Sequence, residues 1–209
     1  GLSGETYSKR ILVPYGEYVP NGVSWIPGLE KLVGPIGRFK AGDKPVIHPV
    51  RANGRTLQAG SLICYEDIFP HLPRSTVLAG ADFLFVSTNN AWFGEEGCAE
   101  QHAAHSVLRA VELRRPVIRC GNHGWSGWIN EYGNIPFVPH DAETKQSRNP
   151  LPLHVMPHWV EAVWSTTRDK QWAGRLTFYA RYGDWFAYLC LALIPPLVLF
   201  LRNKSVASS

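Results

Sequence analysis

The sequence predicts a layered α/β domain followed by one C-terminal helix that crosses a membrane. Two observations carry this: short apolar runs set off by turn signals and interrupted by one helical pattern, and an uncharged run from Trp185 to Leu201. The 209 residues suffice for a single core, and a hydrophobic content of 45% argues against disorder. The net charge of +4 is modest, with lysines and arginines scattered rather than set in a stripe, which argues against a nucleic-acid partner and leaves a membrane as the better one.

Taken in chain order, strands are expected at about Arg10 to Val13, Pro45 to Val50, Thr56 to Cys64, Asp82 to Ser87, Val117 to Arg119 and Ser126 to Asn130. The strand ending at Cys64 closes on three apolar residues, the pattern of a strand buried on both faces. A helix is expected from about Glu100 to Arg114, because Ala104, Leu108 and Val111 recur at i, i+4 and i+7 and Pro116 ends the pattern. Pro27-Gly28, Asn53-Gly54 and Tyr132-Gly133-Asn134 read as chain reversals. Between them, Asn21 to Gly42 lacks periodicity and reads either as a lid whose Val23, Trp25, Ile26 and Leu29 form an apolar entrance or as ordinary surface packing.

The chain then divides into an α/β domain over 1–172, an aromatic juxtamembrane segment over 173–184, a transmembrane helix over 185–201 and a tail over 202–209. The span is near the short limit, since a helix rising about 1.5 Å per residue must cross roughly 30 Å. Pro195 and Pro196 predict a kink inside it, tolerated where neighbours compensate. Trp172, Phe178, Tyr179, Tyr182 and Trp185 are the residue types that settle at headgroup depth. Arg202 and Lys204 follow the span directly, which places the C-terminus on the cytoplasmic side and the domain on the far side, the periplasm in the case of a bacterial inner membrane.

Chemistry concentrates at Cys64, in the run Ile63-Cys64-Tyr65-Glu66-Asp67. A cysteine ending an apolar strand beside two carboxylates is placed for nucleophilic work, and its thiolate needs a nearby cation or base. Lys9 offers the cation, and Glu17, after a short apolar stretch and a turn, is placed to hold it. Cys98, Cys120 and Cys190 show neither metal-ligand spacing nor a disulfide framework, although a Cys98–Cys120 disulfide stays open in an oxidising compartment. His102 and His105 stand at i, i+3 without further ligands, so no metal is expected, and they read as exposed or hydrogen-bonded.

Four segments carry a family resemblance. Lys9 to Pro20 resembles K-x-x-L-V-P-F-G-E-F-V-P, with Tyr15 and Tyr18 for phenylalanines, and Ile63 to Glu66 reproduces I-C-Y-E. Ser87-Thr88-Asn89-Asn90-Ala91-Trp92-Phe93-Gly94 is similar to S-N-D-x-W-F-G, with Asn90 where an aspartate is usual. Arg119 to Gly127 resembles R-x-x-N-x-G-x-S-x. These are blocks of the nitrilase (carbon-nitrogen hydrolase) superfamily in its membrane-bound apolipoprotein N-acyltransferase branch.

The resemblance implies a partial nitrilase-like α-β-β-α sandwich and a Glu-Lys-Cys triad, with Lys9 as the lysine and Cys64 as the nucleophile. Its glutamate belongs upstream of Lys9, so the chain reads as a C-terminal fragment. Glu17, Tyr65 and Glu66 take supporting roles, and Trp25, Trp92 and Phe93 are candidates for the substrate entrance. The implied partners are a phospholipid acyl donor and an apolipoprotein acceptor at the membrane, with no cofactor. Two alternatives stay beside this reading: a soluble-type nitrile or amide hydrolase, and an inactive membrane-tethered binding domain.

Overall fold

The computed structural model describes residues 5–20, 39–52, 55–91, 98–122, 124–135 and 175–207. The expected lid, with Trp25, and the Trp92-Phe93 pair lie outside these residues. A five-stranded mixed sheet runs in the order β1 (Ile47–Ala52), β2 (Arg55–Ile63), β3 (Phe83–Asn89), β4 (Val117–Asn122) and β5 (Gly127–Ile129). The pairs β2–β3 and β3–β4 are parallel, and β1 and β5 join antiparallel at the edges. Each parallel step needs a crossover, supplied by α1 (His71–Leu78) and α2 (Cys98–Leu113).

Both helices lie on one face of the sheet, where Leu62, Leu84, Val86, Val117 and Ile129 form the core with Leu72, Val77, Ala110 and Leu113. Gly60 lets α1 come close, because a Cβ there would stand 2.3 Å from Thr76 Cγ2. On the other face Leu57, Ala59, Phe83 and Ile118 are buried, with Val50, Phe85 and Trp128 partly so.

Two sequence expectations need correction. Arg10 to Val13 is not a strand: its backbone N–H groups are taken by carboxylates, those of Arg10 and Ile11 by Glu66 Oε1 at 2.5 and 3.2 Å and that of Val13 by Glu17 Oε2 at 2.8 Å. The apolar face of α2 marked by Ala104, Leu108 and Val111 turns outward, since Leu108 is 52% and Val111 38% exposed while His102, Ser106 and Arg109 face inward. Polar residues can turn inward there because they find partners, His102 and Ser106 in Asp67 and Arg109 in Glu112 and the Ile68 carbonyl, which offsets the cost of their burial.

A short helix, α3 (Phe178–Tyr182), docks the stretch before the final helix onto the domain. Thr177 caps it, accepting from the Ala180 N–H at 2.9 Å and donating to the Glu112 carbonyl at 2.6 Å, and Arg74 donates to the carbonyls of Ala180 and Arg181. Phe178, Tyr182, Trp185 and Phe186 form an exposed aromatic cluster next to it. The final helix, α4 (Trp185–Ala207), is 23 residues long, continues through Pro195 and Pro196, and exposes Leu189, Leu191, Leu193, Ile194, Leu197 and Val198. Among the described residues no helix is long and apolar enough to cross a membrane, so the expected helix is present and its crossing is not shown.

Candidate active site

Cys64 follows β2 directly and opens a 3-10 turn, Cys64–Ile68, with φ of +55°. A non-glycine residue in this left-handed region is strained and is held there by its surroundings. Glu66, fully buried, does much of the holding. Its carboxylate accepts from the Tyr7 hydroxyl at 2.6 Å and from the backbone N–H groups of Ile63 at 2.7 Å, Arg10 and Ile11. One side chain therefore ties the end of β2 to the segment that carries Lys9. Burial and the adjacent Glu66 carboxylate push the Tyr7 phenol well above its ordinary range, so it stays a donor.

Arg10 anchors the same segment to α1 through Ser75 Oγ, Thr76 Oγ1 and the Leu72 carbonyl. At Gly42, whose N–H donates to the Lys9 carbonyl at 2.8 Å, any Cβ would stand 2.4 Å from the Ser8 carbonyl. Only glycine permits that approach.

Lys9 is buried and its Nζ donates to both Glu17 oxygens, at 2.8 and 2.9 Å. The ammonium also lies 5.0 Å from the centre of the Tyr65 ring. Tyr65 in turn donates to the Leu12 carbonyl at 2.7 Å, and burial, followed by the Glu17 charge, pushes its hydroxyl up to about 12. Lys9, Glu17 and Cys64 line one cavity of about 590 Å³ with Val13, Ser87 and Thr88. The structure thus brings together Lys9, Glu17, Tyr65 and Cys64, with Glu66 behind them. A second cavity of about 220 Å³ touches Cys64 from the side of α2 and is lined by Tyr65, Ile68, Cys98, Gln101, His102 and His105.

Sequence reasoning missed a buried polar cluster under this site. Asp67 accepts from Ser106 Oγ at 2.5 Å, from the Arg119 guanidinium, and pairs with His102 Nε2 at 2.9 Å. Burial alone would raise the Asp67 carboxyl, but the His102 hydrogen bond and the Arg119 charge outweigh it and hold Asp67 below the usual carboxylate range. Arg119 is itself pulled below its ordinary value by burial, against the opposing pull of Asp67 and of Cys64. The partners lie 35 to 52 residues apart in sequence, and the one local signal was Asp67 directly after the Cys64 motif. All four cysteines are free thiols, Cys64 and Cys98 partly buried and Cys120 and Cys190 exposed. Among the described residues no group of three or more acidic, histidine or cysteine side chains is arranged to hold a metal.

A cysteine at a strand-to-turn elbow, sharing a cavity with an ion-paired lysine on a mixed α/β sheet, has the layout of a thiol-nucleophile site. The carbon-nitrogen hydrolase model matches residues 2–147, and the chain belongs to that family. Within it, the chain is similar to the apolipoprotein N-acyltransferase of Geobacter metallireducens, 38% identical over 199 residues that make up 95% of this chain and 34% of the relative. The enzymes of the same description from Chlorobaculum tepidum and Thermotoga maritima are 33% and 30% identical, covering 93% and 98% of this chain and 34% and 36% of theirs. The chain spans about a third of the length of the curated relatives it matches. A cysteine mutant of the Nesterenkonia AN1 amidase, from the nitrilase superfamily, aligns at 20% identity over 62% of this chain and 44% of its own, with a TM-score of 0.41.

Proposed function

We propose that this chain is the cysteine-bearing part of an apolipoprotein N-acyltransferase, moving a fatty acyl group from a phospholipid to the N-terminal amine of a diacylglyceryl-cysteine lipoprotein. The observation that carries the reading is the shared cavity: Cys64, strained at the end of β2, and Lys9, locked by Glu17, line the same space. The Cys64 thiolate attacks the carbonyl of the acyl ester, and the tetrahedral oxyanion takes a hydrogen bond from Lys9. Collapse expels the lysophospholipid alkoxide, which is protonated as it leaves, and the acyl group stays as a thioester. The lipoprotein α-amine then attacks the thioester, loses a proton and restores the thiol.

The general base in this scheme is a glutamate upstream of Lys9, as the resemblance implies. Glu17 and Glu66 do not suit the role, since Glu17 is committed to Lys9 and Val13, and Glu66 accepts four hydrogen bonds. The lipid substrate asks for a membrane face. The exposed aromatic cluster on α3 and the apolar surface of α4 supply one, with α4 entering the bilayer and the domain on the periplasmic side of a bacterial inner membrane. Trp25, Trp92 and Phe93 remain candidates for the lipid entrance. A plain amide or nitrile hydrolase would have no use for that apolar helix.

The test is covalent trapping. In the full-length protein, incubation with a phospholipid bearing an alkyne-tagged acyl chain should label the peptide containing Cys64, and hydroxylamine should release the label. Cys64→Ser should abolish it. Labelling that survives Cys64→Ser, or that never forms in wild type, sinks the proposal.

A further inference from the structure

The buried cluster beneath Cys64 continues beyond Asp67 in a direction the reaction scheme does not use. Thr88, on the wall of the large cavity, donates its hydroxyl to Asn90 Oδ1 at 2.9 Å. The Asn90 carboxamide is tightly seated: its residue is 2% exposed, its backbone N–H donates to the Asn122 carbonyl at 2.9 Å, and any Cβ at Gly124 would stand 2.8 Å from Oδ1. With the oxygen turned to Thr88, the amide NH₂ faces His102 Nδ1 at 3.5 Å. An NH₂ group only donates, so Nδ1 must keep its lone pair. The imidazole proton then sits on Nε2 and is donated to Asp67 Oδ1 at 2.9 Å. Asp67 and Arg119 already cancel each other's charge, so the cluster has no need of an imidazolium.

We propose that Asn90 is a positioning residue that holds His102 as the neutral Nε2–H tautomer, so that His102 adds no positive charge to the cavity it shares with Cys64. His102 matters to Cys64 because both line the 220 Å³ cavity, with Tyr65, Cys98 and His105 around them, whereas Asn90 lines neither cavity. The groups on His102 from the packed elements are Asp67 on the 3-10 turn, Asn90 after β3 and, through Asp67, Arg119 on β4 and Ser106 on α2 itself. A carboxylate at position 90 would accept rather than donate. It would call a second proton onto His102 and balance two carboxylates against Arg119 and an imidazolium. The new positive charge would then face the Cys64 cavity, with the new negative charge behind it, and a thiolate would form at lower pH.

The inference rests on Cys64 being the reactive thiol and is read without lipid or lipoprotein. The rate of Cys64 alkylation by iodoacetamide, followed by mass spectrometry on the full-length protein, is measured from pH 5 to 10. Asn90→Asp should move the midpoint down by about one pH unit, making alkylation near pH 6 roughly tenfold faster. Adding His102→Gln to Asn90→Asp should return the midpoint to or above that of wild type. An unmoved midpoint in Asn90→Asp, or a shift that survives His102→Gln, overturns the proposal. Should Asn90→Asp not fold, imidazole ¹⁵N spectra of the wild type decide: His102, assigned by the signal lost in His102→Gln, should show a protonated Nε2 and a bare Nδ1 at pH 7. An imidazolium or the Nδ1–H tautomer there overturns it. Failed acyl trapping beside the expected alkylation shift would count against the transferase reading and not against this one.

Discussion

Under the proposed function, Lys9 is a side chain prepared for one task. An ammonium has three N–H donors, and Glu17 takes two of them at 2.8 and 2.9 Å, which leaves one for the cavity it shares with Cys64. Glu17 is fixed in turn by the Val13 N–H at 2.8 Å. With Nζ and Glu17 both fixed, the remaining donor would need little rearrangement when substrate arrives in the proposed scheme, the condition under which an oxyanion contact is worth most. Lys9→Ala should lower acyl transfer by about a hundredfold or more, as loss of one such donor does. Lys9→Arg should not restore it, because a planar guanidinium cannot reproduce the position of Nζ between Glu17 and the Tyr65 ring. Single-turnover formation of the Cys64 thioester measures both, and a near-normal rate in Lys9→Ala would remove the residue from the mechanism.

At the scale of elements, Asp67 joins the 3-10 turn to α2 through His102 and Ser106 and to β4 through Arg119. This is where the sequence was least legible. The strands from β1 to β5 were readable to within a few residues because apolar runs and turn signals are local, and the position of Cys64 at the end of β2 came with them. The inner face of α2 was not, because apolar periodicity marks Leu108 and Val111 while the chain buries His102 and Ser106 against a carboxylate from another element. Arg10 to Val13 failed for a related reason, its N–H groups being claimed by the side chains of Glu66 and Glu17. The Asp67 cluster has a consequence in acid. Its carboxyl is held below the ordinary range in the folded state, so its stabilisation is full above the unfolded value near 3.9 and is lost as pH falls through the depressed folded value. Asp67→Asn should remove that part of the acid dependence and cost about 3–5 kcal/mol at pH 7, because it leaves Arg119 buried without its counter-charge. Urea unfolding at pH 7 and pH 3.5 tests it, and equal acid sensitivity in both proteins would show that Asp67 is not the responsible group.

On the scale of the whole molecule, the polar site and the apolar helix belong to one arrangement. α3 is pinned to the domain by Arg74 and Thr177, so the aromatic cluster and the start of α4 have a fixed relation to the core that carries Cys64. The large outward side chains of α4 from Leu189 to Val198 are leucine, isoleucine and valine, an apolar surface of the kind that water-exposed helices avoid. Cys190 reports on what covers it, being a free thiol on α4 and exposed. In detergent-free lipid nanodiscs its reaction with a charged, water-soluble maleimide should fall by roughly tenfold or more relative to the protein in urea, because a thiolate does not form in hydrocarbon and the reagent does not enter it. Cys120, exposed on β4, should show no comparable protection from lipid when nanodiscs are compared with mild detergent. Rapid labelling of Cys190 in nanodiscs would place α4 in water and detach the apolar helix from the lipid-handling role proposed for it.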